Sequence, residues 1–456
     1  MKLLKSKITK TKTLTRDRKF GTDGIRGPVD STMNPLFVTK LGWAAGSVML
    51  EEGITEVLIG KDTRISGYML ESALQAGFIS SGMNVTLLGP LPTPGVAFLA
   101  KEMHQAGVVI SASHNLFEDN GLKFFDQVGH KFPLELEKRI EQKISQPISV
   151  VKSIKLGKAN RMSDAQSRYR DFCKSAVSDI NLEGLSLLLD CANGATYSVA
   201  PKVFEELGAK VKVIAAEPDG ININQNCGST NPENLVKKIK EGGYDLGIAF
   251  DGDGDRILIV SNFGRILDGD DLLYLLTKAN IESGSELGRK GVVGTLMTNK
   301  ALENILEELK VEFIRSDVGD KYVLDELLKR DWLLGGEPSG HIICLDSSPT
   351  GDAIIAALKI LSALSPEGFD IERSLESFKK YSQTLINITV KNPDKIMTSD
   401  AFRKKVSGIE KKLGDTGRIL IRPSGTEPLM RIMVESDSQE LSSESARQLA
   451  DMASSI

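Results

Sequence analysis

The sequence predicts an α/β protein built from several domains in series. Three segments share one layout, in which an apolar strand runs into a polar or glycine-bearing loop and then into a helix. They are EVLIGKDTR (56–64), which enters a helix near Tyr68, LSLLLDCANGATY (185–197) and GVVGTLMTNKALE (291–303). The chain of 456 residues is long enough for about three domains and compatible with four. We therefore expect three similar mixed α/β domains.

The C-terminal part, after about residue 380, follows a different order of elements. The strand TLINITV (384–390) precedes the helix AFRKKVSGIEKKL (401–413). Two strands, GRILIRP (417–423) and LMRIMVES (429–436), then precede the helix LSSESARQLADMA (441–453). This order predicts a smaller α+β domain at the end of the chain.

Composition argues against several classes of partner. The net charge of −4 gives no support for nucleic acid or an anionic membrane as a partner. The sequence contains no run of about 18 apolar residues, so we expect no membrane span. The four cysteines lie far apart without CxxC spacing, which argues against a zinc site or a disulfide framework and suits a cytoplasmic protein.

The first nineteen residues carry eight Lys or Arg residues against one acid, Asp17. They lack the apolar core and the cleavage site of a secretory signal. We interpret residues 1–19 as a frayed basic arm, and an organellar transit peptide is the alternative.

The first candidate site is the segment SASHN (111–115), which follows the apolar run AGVVI. Ser113 thus stands at a strand end, where α/β folds hold their chemistry, and its hydroxyl can carry a phosphoryl group. A polar turn with a helix cap is the alternative. His114 is the next residue, but neighbours in an extended segment point to opposite faces, so we favour Lys123 for handling the hydroxyl proton.

The second candidate site is the loop DGDGDR (251–256) between two apolar runs. Three carboxylates at alternate positions with glycines between them can surround one hard cation. An EF-hand is excluded, because its sixth position would be Arg256 rather than Gly and its twelfth Asn262 rather than Glu. A solvated acidic turn remains the alternative, although carboxylates this close repel one another without a cation.

Two further loops suit phosphate and sugar. The turn RPSGTEP (422–428), with Arg431 beyond it, offers N–H groups, hydroxyls and guanidinium groups for a phosphate dianion. The loop GGEPSGH (335–341) offers the donors and acceptors that sugar hydroxyls require. A plain β-turn and a structural loop are the respective alternatives. Asp268–Asp271 is expected to form only a hairpin turn and a helix cap.

These motifs together resemble those of the α-D-phosphohexomutase superfamily, in the same order along the chain. The resemblance rests on FGTDGIRG (20–27), GKDTRISGYMLE (60–71), ISASHN (110–115), DNGLKFF (119–125), DGDGDR (251–256), GGEPSGH (335–341) and RPSGTEPLMRIMVE (422–435). Within the superfamily the chain is most similar to the bacterial phosphoglucosamine mutases, on FGTDGIRG, GKDTRISGYMLE, CGSTNPE (227–233) and RPSGTEP.

The resemblance implies four domains around a central cleft, each of which supplies one loop. After the basic arm, the expected bounds are 20–160 for the phosphoserine loop, 161–265 for the metal loop, 266–378 for the sugar loop and 379–456 for the phosphate loop. One Mg²⁺ would be held by Asp251, Asp253, Asp255 and the phosphorylated Ser113. The other implied site residues are Lys123, Arg26 and His114 beside the serine; Glu337, Ser339, His341 and Arg256 for the substrate; and Arg422, Ser424, Gly425, Thr426 and Arg431 for the phosphate that is not transferred.

The implied activity interconverts glucosamine 6-phosphate and glucosamine 1-phosphate through glucosamine 1,6-bisphosphate, which serves as intermediate and activator. The product would feed UDP-N-acetylglucosamine synthesis, and the protein would be a monomer or a homodimer. Pro338 stands where glucosamine mutases typically have Gln, so a phosphomannomutase or phosphoglucomutase activity is the main alternative. A non-catalytic phosphosugar-binding protein would be expected to lack the serine or a metal carboxylate, and a phosphatase would use water in place of the sugar hydroxyl.

Overall fold

The strand of each recurring strand–loop–helix segment is an interior strand of its own sheet. The structure is a computed structural model that describes residues 19–177, 180–285, 290–390, 392–423 and 429–456. Within these ranges the strands form sheets of six, five, four and three strands, in chain order. The first three sheets are mixed parallel and antiparallel with helices packed on them, and the last is antiparallel. The predicted fold class, three similar α/β domains followed by a smaller α+β domain, is confirmed.

The first domain is built on a sheet with the strand order β1-β5-β4-β2-β3-β6. Its elements are β1 (Ile25–Pro28), α1 (Pro35–Glu51), β2 (Glu56–Lys61), α2 (Ser66–Ser81), β3 (Asn84–Pro90), α3 (Thr93–Met103), β4 (Ala106–Ile110), β5 (Asp119–Phe125), α4 (Leu134–Ile144) and β6 (Ala159–Arg161). Strand β5 runs antiparallel to both β1 and β4, which brings the FGTDGIRG, SASHN and DNGLKFF motifs together.

The second sheet has the order β11-β10-β9-β7-β8, and the third has the order β13-β12-β14-β15. The elements of this part are α5 (Ala165–Ser175), β7 (Ser186–Asp190), α6 (Ala200–Glu206), β8 (Lys210–Ile214), α7 (Glu233–Lys240), β9 (Leu246–Phe250), β10 (Ile257–Ser261), β11 (Ile266–Leu267), α8 (Gly269–Ser283), β12 (Gly291–Thr295), α9 (Lys300–Glu308), β13 (Glu312–Ser316), α10 (Asp320–Arg330), β14 (Leu334–Gly336), β15 (Ile342–Cys344), α11 (Ala353–Leu364) and α12 (Ile371–Ser374).

The C-terminal domain consists of β16 (Ser382–Thr389), α13 (Pro393–Thr398), α14 (Asp400–Leu413), β17 (Gly417–Pro423), β18 (Leu429–Ser436) and α15 (Gln439–Ser454). The predicted strand, helix, two strands and helix are all confirmed, and α13 is an additional short helix. Strand β16 alternates strictly between half-buried and exposed residues, as a strand with one covered face does.

Short side chains define several helix starts. The expected helix cap at Asp268–Asp271 is confirmed, because the Asp268 carboxylate accepts from the backbone N–H of Asp271 and the Asp271 side chain accepts from that of Asp268. The hairpin turn expected there is wrong, since the turn between β10 and β11 closes at Ser261–Arg265 and Asp268 begins a helix. Asp352 caps α11 by accepting from the N–H groups of Ile354 and Ile355, each at 3.0 Å. No helix in the described ranges is long and apolar enough to cross a membrane.

One hydrophobic core is continuous through the first three domains. It contains Leu58 and Phe125 of the first domain, Phe250 of the second and Ile354 of the third, all almost fully buried. The buried Tyr169 hydroxyl donates to the Asp352 carboxylate at 2.9 Å, which ties α5 to the third domain inside this core. These domains therefore hold their loops in a fixed relation to one another.

The C-terminal domain has a core of its own, and its buried ion pair between Arg418 and Glu435 hydrogen-bonds to the third domain. The Arg418 guanidinium donates to Glu435 at 2.6 Å and to the carbonyls of Leu296 and Thr298 at 2.8 and 2.7 Å. The fully buried Glu435 carboxylate also accepts from the Lys300 N–H at 3.0 Å. Charged groups and third-domain backbone thus hold the fourth domain in place.

Replacing Arg418 with Ala should loosen the C-terminal domain. Glu435 would keep its buried charge and lose its counter-ion, which costs about 3–5 kcal/mol when one partner of a buried pair is removed. Scanning calorimetry should then show a transition of the C-terminal domain at lower temperature, separated from that of the first three domains. Arg447→Ala on the exposed face of α15 is the matched control and should leave the thermogram unchanged.

Candidate active site

Ser113 lies in a tight turn directly after β4. Its side chain is buried, and its backbone adopts a left-handed conformation with φ of 51°, which is uncommon for a residue other than glycine. The hydroxyl donates to the Asp251 carboxylate at 2.6 Å, although the two residues belong to different domains. The Ser113 N–H donates to the Ser111 hydroxyl at 2.9 Å, which helps to fix the turn.

A buried arginine holds the serine turn from inside the first domain. Arg64 is oriented by Asp62, which accepts from its Nε at 2.8 Å. Its guanidinium donates to the carbonyls of Ser113 and Asn115 at 2.9 and 2.8 Å. The arginine of the GKDTR motif therefore fixes the serine loop by binding its backbone carbonyls.

The three carboxylates of DGDGDR lie in the connection between the antiparallel strands β9 and β10. Asp251, Asp253 and Asp255 are all buried, and one oxygen of each lies within 4.8 Å of the others. One Asp251 oxygen accepts three backbone N–H groups of its own loop, at 3.0 to 3.2 Å. Burial, together with the charges of Asp255 and Asp253, raises the pKa of Asp251 well above its usual value.

The donor set of this loop fits a hard divalent cation. In Asp253 and Asp255 one oxygen is engaged by protein groups, whereas the Oδ1 atom of each is buried without a hydrogen-bond partner. A buried carboxylate oxygen without a partner destabilises the folded protein, and a cation such as Mg²⁺ would satisfy it. The Asp251 oxygen that faces Ser113 completes a set of oxygen ligands on one side of the loop.

Lys123 lies on β5 and is completely enclosed by acids. Its ammonium is 3.1 Å from Asp23, 2.8 Å from Asp253 and 2.9 Å from Asp255. Burial alone would lower the pKa of Lys123, but these three carboxylates outweigh it and hold that pKa well above its usual value. The lysine is thus a fixed positive charge between the first and second domains.

Arg26 lies on β1, opposite Gly121 of β5, and its side chain crosses that glycine. A Cβ at Gly121 would lie 2.7 Å from the Arg26 side chain, so glycine is required there. Arg26 pairs with Asp23, and Asp23 also pairs with Lys131. Arg26 therefore belongs to the same charge network as Lys123.

His114 corrects one expectation from the sequence. The turn at Ser113 is not extended, and the left-handed backbone brings His114 Nδ1 to 3.4 Å from the Ser113 hydroxyl instead of turning it to the opposite face. Burial, Arg256 and Arg26 lower the pKa of His114 to about 4. His114 thus lies at the serine hydroxyl, whereas Lys123 contacts the aspartates of the metal loop.

The sugar loop enters from the third domain as a turn between β14 and β15. The Gly340 N–H donates to the Glu337 carbonyl at 3.0 Å, which leaves Pro338 at the second position of the turn, where proline is favoured. The Glu337 carboxylate accepts from the Gly319 N–H at 2.9 Å. Ser339 is exposed at the tip of the turn.

His341 connects the sugar loop to the metal loop. Its Nδ1 lies 3.8 Å from Asp255, and its Nε2 lies 3.7 Å from Asp320. Burial alone would lower the pKa of His341, but the adjacent Asp255, Asp320 and Glu337 outweigh it and raise that pKa. Arg256 approaches Asp255 at 4.0 Å and borders the same space.

The phosphate loop is only partly described. Ser424, Gly425 and Thr426 lie outside the described residues. Arg422 on β17 and Arg431 on β18 are direct cross-strand partners, and both side chains are exposed. In the described part of the chain neither makes a hydrogen bond or ion pair with Ser113 or the three aspartates.

Two residues of the site, Asp23 and Thr93, were not predicted from the sequence. Asp23 lies inside the FGTDGIRG motif and joins Lys123, Arg26 and Lys131. Thr93 follows β3, and its hydroxyl donates to Asp253 at 2.6 Å while its N–H donates to the Asp253 carbonyl at 2.8 Å. The motif around Asp23 was a usable signal, whereas Thr93 lacked one because a Pro-Thr-Pro helix start has many ordinary uses.

Comparison with known proteins identifies the family to which this arrangement belongs. Models of domains I, II and III and of the C-terminal domain of the phosphoglucomutase/phosphomannomutase family match residues 17–149, 167–264, 268–381 and 385–452. The chain belongs to this family. The resemblance to the phosphohexomutases is thereby confirmed.

Curated relatives match almost the whole chain. The phosphoglucosamine mutase of Pseudomonas paraeruginosa is 50% identical over 440 residues, which cover 96% of this chain and 98% of the relative. That of Legionella pneumophila is 49% identical over 446 residues and covers 97% of this chain and 98% of the relative.

Solved structures share the fold at lower sequence identity. A phosphoglucomutase/phosphomannomutase family protein of Burkholderia thailandensis superposes with a TM-score of 0.81 at 24% identity, over 95% of this chain and 97% of the other. The Aspergillus fumigatus N-acetylphosphoglucosamine mutase, solved with GlcNAc-6P and magnesium, gives 0.68 at 17% identity, over 95% of each chain.

Magnesium should stabilise the metal-free protein through the DGDGDR loop. A ligand at one hundred times its Kd adds about 2.7 kcal/mol to the free energy of unfolding, so Mg²⁺ should raise Tm in a thermal melt. Asp253→Asn should abolish this Tm increase, because it removes the charge beside the unpartnered oxygen. The exposed Asp171→Asn variant should keep the increase, and an unchanged response of Asp253→Asn would contradict the assignment.

Proposed function

We propose that the chain is a phosphoglucosamine mutase, which interconverts glucosamine 6-phosphate and glucosamine 1-phosphate through a phosphoserine at Ser113 and a 1,6-bisphosphate. The observation that carries this proposal is the 2.6 Å contact between the Ser113 hydroxyl and Asp251, beside two unpartnered carboxylate oxygens. A nucleophilic hydroxyl placed against a set of carboxylate ligands that suit a hard cation favours phosphoryl transfer. The relatives at about 50% identity bear the same name.

The phosphate moves in two steps with Ser113 as the carrier. Phosphorylated Ser113 gives its phosphoryl group to O1 of glucosamine 6-phosphate, so the serine O–P bond breaks and a bond from phosphorus to the sugar oxygen forms. The O1 proton is lost to a neighbouring base, and the serine oxygen gains a proton in exchange. The bisphosphate turns over, and its 6-phosphate returns to Ser113 and leaves glucosamine 1-phosphate. Bound Mg²⁺, held by Asp251, Asp253, Asp255 and the phosphoserine, supplies charge neutralisation on the transferred group.

Basic residues surround the transferred group. Lys123 is the proposed proton donor to the Ser113 oxygen, because its raised pKa keeps it charged, and Arg26 gives electrostatic support. His114 lies 3.4 Å from the Ser113 hydroxyl, and because its pKa is lowered to about 4 it is the candidate that can accept a hydroxyl proton. All three residues belong to the first domain, as Ser113 does, so the same groups are available to both phosphoryl transfers.

The two ends of the substrate need different recognition. Glu337, Ser339, His341 and Arg256 are proposed to hold the sugar, and Arg422 and Arg431 to hold the distal phosphate with Ser424, Gly425 and Thr426. Like charges directly opposite on neighbouring strands repel, so Arg422 and Arg431 favour an anion between them. We also propose that each site binds one Mg²⁺ and that glucosamine 1,6-bisphosphate is both intermediate and activator. The protein would be a cytoplasmic monomer or homodimer, and its product would enter UDP-N-acetylglucosamine synthesis.

Ser113→Ala should abolish mutase turnover without unfolding the protein. The variant lacks the oxygen that carries the phosphate, and removal of a catalytic nucleophile lowers kcat on the order of 10⁴-fold or more. A coupled assay with glucosamine 6-phosphate measures the loss, and intact mass spectrometry tests whether the phosphate is absent. Ser72→Ala, on the exposed face of α2, is the control. A fully active Ser113→Ala protein would contradict the proposed phosphoserine mechanism.

Substrate preference tests the sugar assignment. With Mg²⁺, kcat/KM for glucosamine 6-phosphate should exceed the values for mannose 6-phosphate and glucose 6-phosphate, and EDTA should remove all three activities. Pro338→Gln restores a side-chain amide in the sugar loop and should raise the preference for glucosamine by about twofold to tenfold, the equivalent of one hydrogen bond. A preference for mannose or glucose phosphate would leave the mechanism in place and support the alternative activity.

A further inference from the structure

Two carbonyl groups of the serine turn are held from opposite sides by two side chains. The carbonyls of Ser113 and Asn115 each accept one hydrogen bond from Arg64 Nη2, at 2.9 and 2.8 Å. Each also accepts one from Asn224 Nδ2, at 2.8 and 2.9 Å. Each of these nitrogens carries two hydrogens, and each uses both on this pair of carbonyls.

The two side chains come from different domains. Arg64 precedes α2 in the first domain, whereas Asn224 lies in the second domain, between β8 and α7. Asn224 is therefore a direct link from the domain that carries the metal loop to the residue whose hydroxyl faces Asp251.

Asn224 is itself held in an unusual conformation. Its φ is 58°, its side chain is buried, and its N–H donates to the Ala192 carbonyl at 2.9 Å. The supporting loop contains two more left-handed residues, Ala192 with φ of 54° and Asn193 with φ of 47°. Such a group of left-handed residues persists only where its surroundings fix it, so the amide is presented rigidly.

The metal loop meets the same point. A Cβ at Gly252 would lie 2.5 Å from the Ser113 carbonyl oxygen and 2.7 Å from Asn224 Nδ2. Glycine thus lets the metal loop, the serine turn and the Asn224 amide pack against one another. A shift of the amide would move the serine relative to the neighbouring aspartates.

We infer that Asn224 is a positioning residue for phosphoryl transfer, which fixes the left-handed turn of Ser113 by binding the carbonyls of Ser113 and Asn115. This inference rests on the proposed function. Asparagine suits the position because it tolerates a positive φ and carries an amide nitrogen with two donors. Aspartate would keep the shape but turn an acceptor towards two acceptors, and glycine would keep the backbone and lose the donor.

The test uses Asn224→Gly and Asn224→Asp in the full chain, with matched changes at Asn226. Asn226 also has a positive φ, of 54°, but is exposed, and its side chain makes no hydrogen bond to any described residue. Steady-state kinetics with glucosamine 6-phosphate, a thermal melt and single-turnover loss of phosphate from the phosphorylated enzyme are measured for each variant.

Both Asn224 variants should lower kcat and the single-turnover rate about tenfold to a hundredfold, as expected for a small displacement of a reacting group. KM should change by less than about threefold, because the substrate contacts remain. The Asn226 variants should stay within about twofold of the unmodified chain. If one Asn224 variant does not fold, the other decides.

A folded Asn224 variant with kcat within twofold of the unmodified chain would overturn the inference, and so would a loss that appears only in KM. If Asn224→Gly were fully active and Asn224→Asp were not, the backbone conformation or the added charge would matter and the hydrogen-bond donor of Asn224 would not. Failure of the proposed function is distinguishable, since the unmodified chain would then show no mutase activity to compare.

Discussion

Placement of Lys123 among acids is the constraint on which the site depends. Three buried aspartates in one short loop repel one another, and the lysine of the neighbouring domain engages two of them as well as Asp23. The engaged oxygens face the lysine, and the remaining oxygens are left for a cation. One ammonium group on β5 thus joins two domains and orients the metal ligands.

Local sequence patterns predicted much of the fold and most of the site. Strict alternation in β16 and a capping aspartate before α8 are local signals, and the structure follows them. The serine, the three aspartates and the sugar loop were recognisable because each motif places several unusual residue types together. Their convergence in space depends on pairings between distant strands, such as β1 with β5, which no local pattern encodes.

Predictions from the sequence were wrong or missing where the backbone leaves its regular conformation. His114 would point to the opposite face from Ser113 in an extended strand, but the left-handed backbone at Ser113 brings the two side chains together. Thr93 and Asn224 act across domain boundaries through single side chains, so their importance is visible only when the partner carbonyls and carboxylates are in place. Contacts of this kind belong to tertiary structure rather than to periodicity.

The shared core of the first three domains has a consequence for synthesis on the ribosome. Leu58 and Phe378 belong to the same hydrophobic cluster, so this cluster is not complete until almost the entire third domain has emerged. At ~5–20 residues per second the nascent chain would wait roughly a quarter of a minute to a minute with apolar surface uncovered. A chaperone that shields this surface during translation would therefore favour the yield of native protein, whereas the core of the last domain is formed only by residues of that domain.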